Sequence, residues 1–227
     1  VSYDIKHNES NGENNNDGTE FNYSWNCGIE GKTRKRAVMR SRMNQIRNAF
    51  TMLLCSQGTP MLLAGDEFGN TQLGNWKHTK SEQDIFEFVK RMIAFRKQHC
   101  VLHGKEPLSM FDTKGIGIPD MSVHGTQAWR ADFSNYSRML GILLGGRYGI
   151  TEDDDIYIAF NMFWEQKVFE LPNPTVGKKW YPAIDTHSGE FFTVPPKKKR
   201  KRKIKSEKQL FREYLVEPRS IVVFVGR

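Results

Sequence analysis

Residues 56–69 mark the transition that decides the fold of the first half of the chain, and they read Ser-Gln-Gly-Thr-Pro-Met-Leu-Leu-Ala-Gly-Asp-Glu-Phe-Gly. Upstream, apolar residues recur at spacings of three and four across 36–57, which is the period of one helix face. Gly58 and Pro60 end that helix, because glycine accepts a left-handed cap and proline cannot continue a helix. The apolar run 61–64 is typical of a strand buried in a parallel sheet. Together these elements predict half of a βαβ unit.

A second helix is predicted over 82–98, and the pattern changes after about residue 104. Helical periodicity there gives way to short apolar runs between turn residues. The predicted strands lie at 138–145 (where a helix is an alternative), 156–160, 167–171, 180–184, 191–194 and 220–225. Regularly spaced short strands are typical of an all-β sandwich.

Residues 1–35 are polar and rich in Asn and Gly, which favour turns and left-handed backbone. They predict a long loop, called here the N-terminal loop, and loops of that length are usually functional or disordered. Tyr23 and Trp25 stand out as aromatic residues in this polar segment. They either pin the loop to the body of the protein or contact a ligand.

The charge of the chain is concentrated in one place. The net charge is +8, from 34 Lys and Arg against 26 Asp and Glu, and the run 197–205 carries eight positive charges. Without that run the chain is neutral overall. The run resembles a nuclear-import signal and also a polyanion-binding patch. A solvated insertion between two strands is the interpretation we favour, because short basic runs match such motifs often.

Several classes of protein are not expected. No stretch approaches the ~20 apolar residues of a membrane span, and no secretory signal segment is present. Cys27, Cys55 and Cys100 predict free thiols in a reducing compartment, here the cytoplasm. The six histidines are scattered along the chain, so no metal and no cofactor are expected. Because the chain starts at Val1 in sequence typical of mid-domain, we expect a fragment of a longer protein.

Asp66 and Glu67 are the most suggestive pair of polar residues, because they directly follow the predicted buried strand. Carboxylates at strand ends in a (β/α)8 barrel serve acid–base chemistry or bind hydroxyl-rich ligands. Alternatively they cap the next turn or hold a neighbouring loop, which spacing alone favours.

A family resemblance adds to these patterns. Residues 56–69 resemble the segment around the eighth barrel strand of the α-amylase superfamily, in its bacterial glycogen debranching, isoamylase and pullulanase branch. Residues 1–13 resemble the loop after the seventh strand of those enzymes, and 23–28 and 45–48 continue the match. Further matches to the C-terminal β-domain lie at 128–134 and 214–226.

The resemblance implies an α+β chain with two parts. Residues 1–104 would be the C-terminal segment of the (β/α)8 TIM barrel, and residues 105–227 an all-β sandwich domain with the basic insertion at 197–205. Members of this family of glycoside hydrolases cleave α-1,6-glucosidic branch points of glycogen or related glucans by a retaining mechanism. Their nucleophile, acid and third carboxylate match no residue of this chain. We therefore expect it to be inactive without the N-terminal remainder of the catalytic barrel.

The same resemblance places four residues beside a branched α-glucan substrate. Asp66 and Glu67 would lie at the rim of the glucan cleft, with Asn8 and Trp25 lining it from the N-terminal loop. All four are predicted to bind substrate and none to catalyse. The asparagine-rich loop that the family carries before a tryptophan has no counterpart where Asn75 joins Trp76.

Two other functions remain open from the sequence. Trp129, Trp164 and Trp180 can stack on sugar rings in a non-catalytic glucan-binding module, although core packing is the simpler role for most of them. The run 197–205 would suit a nucleic-acid-associated protein. The neutral remainder and the lack of DNA- or RNA-binding motifs count against nucleic acid, and no membrane partner is expected.

Overall fold

The computed structural model describes residues 2–9, 12–21, 23–69, 80–195 and 212–227. The basic run 197–205 and the junction of Asn75 with Trp76 lie outside the described residues. None of the described helices is long and apolar enough to cross a membrane.

Two helices dominate the first half of the chain. They are α1, Arg36–Cys55, and α2, Lys80–Gln98, which confirms both predicted helices to within two residues at each end. Apolar side chains on facing sides, among them Leu54 and Met92, are buried between the helices and the neighbouring sheet. The described part of the N-terminal loop contains no strand and no α-helix, as its composition predicts.

The prediction of a buried strand at 61–64 is wrong for the described chain. Met61 is 85% exposed and Leu63 68% exposed, and the backbone there is extended without a partner strand among the described residues. A strand covered on both faces needs neighbours at its edges, and none of the described strands lies beside it. The described part of the chain accordingly shows no (β/α)8 barrel.

The second half forms two antiparallel sheets. The strands are β1 Met121–His124, β2 Met139–Leu144, β3 Asp155–Asn161, β4 Lys167–Glu170, β5 Trp180–Asp185, β6 Glu190–Phe191, β7 Glu213–Val216 and β8 Ser220–Gly226. Six of them pair in the order β1-β2-β3-β8-β5-β6, and β4 pairs with β7. Five predicted strands are confirmed, with 138–145 a strand rather than a helix. The strand predicted at 191–194 shrinks to β6, and the prediction missed β1 and placed no separate strand at β7.

Both faces of the large sheet are buried, which explains why β3 and β8 are buried along their whole length and carry mostly apolar side chains between their ends. Successive side chains of a strand alternate between faces. On β3, Ile156 and Ile158 accordingly face the helices, whereas Tyr157 and Ala159 face the small sheet. The predicted sandwich is therefore present as two packed sheets, with α1 and α2 forming a third layer against the large one.

Asp155, at the start of β3, is a fully buried carboxylate that ties three segments together. It accepts hydrogen bonds from the backbone N–H of Gly146 at 2.9 Å and of Thr175 at 2.7 Å. The Thr175 hydroxyl adds a bond of 3.0 Å, and Lys178 Nζ lies 3.0 Å away. This side chain thus satisfies polar groups that would otherwise be buried without partners.

His124 is a buried polar residue on the opposite face of the large sheet from the helices. Its Nδ1 accepts a hydrogen bond from the backbone N–H of Trp129 at 2.7 Å, so the neutral ring carries its proton on Nε2 and donates to Ser122 Oγ at 2.9 Å. Burial lowers the pKa of His124 to about 4. The neutral ring is therefore the form that the fold requires.

Acid is expected to destabilise the chain through His124. The unfolded chain binds this proton at a higher pH than the folded chain, because the folded-state pKa is lowered from 6.5 to about 4. The contribution of the neutral ring to the free energy of unfolding is complete above the ordinary pKa of 6.5. It is lost as the pH falls from there toward the folded-state pKa of about 4, and the total loss is about 3 kcal/mol. Urea denaturation at about pH 7 and about pH 4.5 measures the change.

Two variants separate this effect from the titration of carboxylates. The change His124→Asn keeps an acceptor for the Trp129 N–H and removes the titration, so its stability should fall less in acid than that of the wild type. The exposed His187 provides the matched control, and His187→Asn should behave like the wild type. Equal losses in the wild type and in His124→Asn would contradict the prediction.

Candidate functional site

Asp66 and Glu67 lie on a short 3₁₀ helix, Asp66–Phe68, directly after the exposed segment 61–64. Asp66 is exposed, and Glu67 Oε2 accepts a hydrogen bond from the Gly65 N–H at 2.8 Å. Phe68 stacks on Phe86 of α2, with ring centroids 4.8 Å apart, and so holds the turn against the helix. The capping alternative therefore describes Glu67 in this structure, whereas Asp66 presents a carboxylate to solvent.

Asn8 is used by the N-terminal loop itself. Its backbone N–H donates to Asn15 Oδ1 at 2.8 Å, and its side-chain Nδ2 donates to Asp17 Oδ2 at 3.1 Å. These bonds fold the loop back on itself. The structure therefore gives Asn8 a positioning role within the loop.

Trp25 connects the N-terminal loop to the β-domain. The guanidinium of Arg219, in the turn between β7 and β8, lies 4.4 Å from the centre of the Trp25 ring. Trp25 remains 38% exposed, and cation–π contacts of this kind hold an aromatic ring without burying it. Of the two roles open from the sequence, pinning is the one that these contacts support.

The carbonyl oxygen of Arg219 anchors helix α1 at the same turn. Asn44 Nδ2 and Asn48 Nδ2 each donate to it at 2.7 Å. Asn48 Oδ1 in turn accepts from the hydroxyl of Thr186, whose Oγ1 accepts the Ile221 N–H at 2.8 Å. One turn therefore holds the N-terminal loop, α1 and β8 together.

Glu30 organises the start of the N-terminal loop. Its carboxylate accepts from the N–H groups of Asp4 at 2.8 Å and Ile5 at 3.1 Å, and from Asn26 Nδ2 at 2.9 Å. His7 Nε2 lies 3.0 Å away. The bonds from the Asp4 backbone and then the Asn26 side chain lower the pKa of Glu30 to about 2, so the carboxylate stays charged at neutral pH.

Arg42 is the buried centre of the loop's attachment to α1. It is 5% exposed, and its guanidinium donates to backbone carbonyl oxygens of the loop. These are Asn26 O at 3.2 and 3.0 Å, Gly31 O at 2.8 Å, Ser2 O at 3.5 Å, and Ile29 O. A planar fork of five donors suits such a cradle of carbonyls, whereas a lysine ammonium does not.

The sequence analysis did not identify Arg42, Glu30 or Arg219 as structural anchors, although the position of Arg42 in the predicted helix indicates a buried role. It falls three residues after Met39 and four before Ile46, which places it on the apolar stripe of the predicted helix. An arginine at such a position is expected to have buried partners. Glu30 and Arg219 lie in turns, where periodicity gives no comparable indication.

The described hydrogen bonds and ring contacts of the four predicted substrate-binding residues are made with other residues. The contacts among the described residues link Asn8 and Trp25 to the N-terminal loop and its anchor. They link Glu67 to its own turn, and they do not join Asp66 or Glu67 to Asn8 or Trp25. The described contacts attach the N-terminal loop to α1 through Arg42 and the Asp66–Phe68 turn to α2 through Phe68.

One cluster of possible metal ligands occurs among the described residues, formed by His99, Asp153 and Asp154. Its atoms already bond to one another and to the fold. His99 Nδ1 lies 3.0 Å from Asp153 Oδ1, Asp153 Oδ2 accepts the Val101 N–H at 3.2 Å, and Arg227 binds Asp154. Burial raises the pKa of Asp153, but the bonds from His99, Asp154 and Val101 outweigh it and lower the pKa overall. The cluster therefore fits a hydrogen-bonded link between the end of α2 and the β-domain better than a metal site.

Comparison with solved structures shows which proteins share this fold. The chain is similar to pullulanase type I from Bacillus subtilis, in a structure described as complexed with maltose, with a TM-score of 0.55 and 16% identity over 85% of this chain and 24% of that one. Pullulanase from Bacillus acidopullulyticus gives 0.54 and 14%, over 85% and 21%. The fold is thus that of the C-terminal part of pullulanase-type enzymes.

Sequence comparisons show which proteins the chain is similar to. Residues 121–225 match the family model of the isoamylase C-terminal domain. The chain is 32% identical over 216 residues to a glycogen operon protein GlgX homolog of Mycobacterium bovis and 35% identical over 201 residues to the chloroplastic isoamylase SU1 of Zea mays. Each match covers 82% of this chain, which spans 30% and 24% of the length of these relatives. The chain is therefore similar to isoamylases and to GlgX homologs, and it spans less than a third of the length of these relatives.

Proposed function

We propose that this chain is the C-terminal part of an enzyme that hydrolyses α-1,6-glucosidic branch points of glycogen or related glucans. The similarity to isoamylase and GlgX relatives over 82% of the chain carries this proposal. The free thiols of Cys27, Cys55 and Cys100 are consistent with work in the cytoplasm. In this proposal branched glucan is the substrate, and the remainder of the barrel is the partner that supplies the nucleophile and the acid.

The exposed segment 61–64 supports the assignment of residues 1–104 to a (β/α)8 barrel. Met61 and Leu63 are large apolar side chains at 85% and 68% exposure, placed between a helix and a carboxylate turn. Contiguous exposed apolar residues mark surfaces that a partner covers. Pairing of this segment with further barrel strands would bury it and bring Asp66 and Glu67 to the end of a strand, which is where barrel enzymes bind substrate.

We further propose that Asp66, Glu67, Asn8 and Trp25 are substrate neighbours in the assembled enzyme. Exposure of Asp66 and partial exposure of Trp25 leave both side chains accessible to a sugar. The described contacts of Asn8 and Glu67 assign these two the task of shaping their loops. Their effect on a substrate would therefore be exerted through loop position.

The chain alone is expected to release no reducing ends from glycogen. The measurement is a reducing-sugar assay on the purified chain, with a commercial isoamylase as the positive control. Robust α-1,6 cleavage by the chain alone would overturn its assignment as a non-catalytic portion.

A chimeric protein tests whether this chain can serve as the C-terminal part of an active debranching enzyme. In it, this chain replaces the matching C-terminal part of the Mycobacterium bovis GlgX homolog, and the chimera is assayed for branch-point cleavage beside the parent protein. Cleavage by both supports the proposed function. A folded chimera that leaves branched glucan intact, while the parent cleaves it, counts against that function.

A further inference from the structure

An exposed pair of stacked aromatic rings lies in the loop between β3 and β4. The rings of Phe163 and Trp164 are 3.9 Å apart at their centroids and inclined by 27°. Trp164 is 63% exposed, so its outer face is presented to solvent while its inner face rests on Phe163. We call this pair the aromatic platform. By contrast, Trp180 is 4% exposed and its Nε1–H donates to Pro172 O, so the structure assigns Trp180 to the core.

The loop backbone and the Phe163 ring beneath Trp164 are held by several contacts although the platform faces solvent. Asn161, which is fully buried, accepts the Phe163 N–H on Oδ1 at 3.2 Å and donates from Nδ2 to Glu165 O at 2.8 Å. The Arg219 N–H donates to Phe163 O at 2.9 Å. Lys167 Nζ lies 4.3 Å from the centre of the Phe163 ring. A ring that is fixed before binding loses little conformational freedom when a ligand arrives.

Polar side chains border the platform. Gln166 Nε2 lies 2.9 and 3.0 Å from the two carboxylate oxygens of Glu217, and Lys167 Nζ lies 3.3 Å from Glu165 Oε2. Gln166 and Glu165 are exposed, so their amide and carboxylate oxygens can accept hydrogen bonds from ligand hydroxyls. An apolar ring face beside amide and carboxylate groups complements a pyranose, which has an apolar face and a rim of hydroxyls.

Arg219 connects the aromatic platform to the N-terminal loop. Its N–H bonds to Phe163 O, and its guanidinium packs on Trp25 at 4.4 Å. We propose that the aromatic platform binds the α-1,4-linked glucose units of a glucan chain, with Trp164 stacking on a sugar face and Gln166 and Glu165 bonding its hydroxyls. The choice of an α-glucan rests on the proposed function, whereas the presence of a sugar-binding surface rests on the platform itself.

Maltoheptaose binding to the full chain tests this inference. Isothermal titration calorimetry of the wild type should show binding, and Trp164→Ala should weaken it by roughly tenfold or more, because loss of an anchoring aromatic ring removes most of the contact. Trp164→Phe should retain a large part of the affinity. Tyr136→Ala is the matched control, since Tyr136 is 89% exposed and lies in another loop, and it should bind like the wild type. Thermal unfolding of each variant verifies that the fold is intact.

The platform inference fails if folded wild-type chain does not bind maltoheptaose, or if Trp164→Ala binds as the wild type does. It also fails if sedimentation shows self-association of the wild type that Trp164→Ala abolishes, because the platform would then be a contact between copies. These outcomes are distinguishable from failure of the proposed function. Binding that depends on Trp164 together with an inactive chimera would overturn the hydrolase assignment alone, and an active chimera together with Trp164-independent binding would overturn the platform alone.

Discussion

Replacing Arg42 with alanine is expected to detach the N-terminal loop from helix α1 and to lower the free energy of unfolding by about 3 kcal/mol. The guanidinium is 5% exposed and satisfies carbonyl oxygens of residues on both sides of the loop, including Asn26 O at 3.0 Å and Gly31 O at 2.8 Å. Without the guanidinium, those carbonyl oxygens need water as a hydrogen-bond partner, and the loop must open to admit it. Urea denaturation and limited proteolysis of the loop measure the two effects.

The matched control for Arg42 is on the same helix. Arg40 is exposed, so Arg40→Ala removes an arginine without removing buried bonds and should change stability by less than about 0.5 kcal/mol. Arg42→Lys keeps the charge but not the fork of donors, and it should resemble Arg42→Ala more than the wild type. Protease resistance of the loop in Arg42→Ala equal to that of the wild type would refute the role of Arg42 as its anchor.

The second large loss of stability is expected when Asp155 is replaced. Changing Asp155 to alanine should cost about 3–5 kcal/mol, because Lys178 and the N–H groups of Gly146 and Thr175 would lose a buried partner at once. Asp155→Asn retains one acceptor oxygen and should cost less. Thermal and urea unfolding give both values.

Glu152 supplies the comparison for Asp155. It lies three residues earlier, is exposed, and meets Arg147 only at 3.7 Å. Exposed ion pairs contribute little, so Glu152→Ala should cost less than about 1 kcal/mol. Similar losses for Asp155→Ala and Glu152→Ala would show that burial of the carboxylate is not what matters.

The elements predicted from the sequence are those that local pattern determines. The apolar spacing of α1 and the apolar runs of β3 and β8 appear in the structure at nearly the predicted positions. The run at 61–64 has the same local character as a buried strand, but a strand also needs neighbours that pair with it, and sequence pattern does not supply them. For the same reason β1, whose residues 121–124 include only two apolar positions, was recognisable only through its pairing with β2.

In the candidate site too, the residues that follow a local sequence pattern could be predicted, whereas those that depend on tertiary contacts could not. Asp66 and Glu67 could be singled out because they follow an apolar run, and the structure leaves Asp66 accessible. The anchoring role of Arg219 depends on a contact between residues 175 positions apart, Asn44 and Arg219. Such a contact is fixed by tertiary packing. No local spacing in the sequence indicates it.

The position of β8 has a consequence for how the protein is made. During synthesis β1, β2 and β3 appear in an order that allows each strand to pair with the one before it. In contrast, β5 can pair only with the short β6 until β8 has been synthesised. The middle of the large sheet is therefore completed last. Asn44 and Asn48 of α1 can likewise donate to the carbonyl oxygen of Arg219 only after that late segment has been synthesised. Until then the edges of β3 and β5 that pair with β8 have no partner strand, and unpaired strand edges are the parts of a partly folded chain that are prone to aggregate.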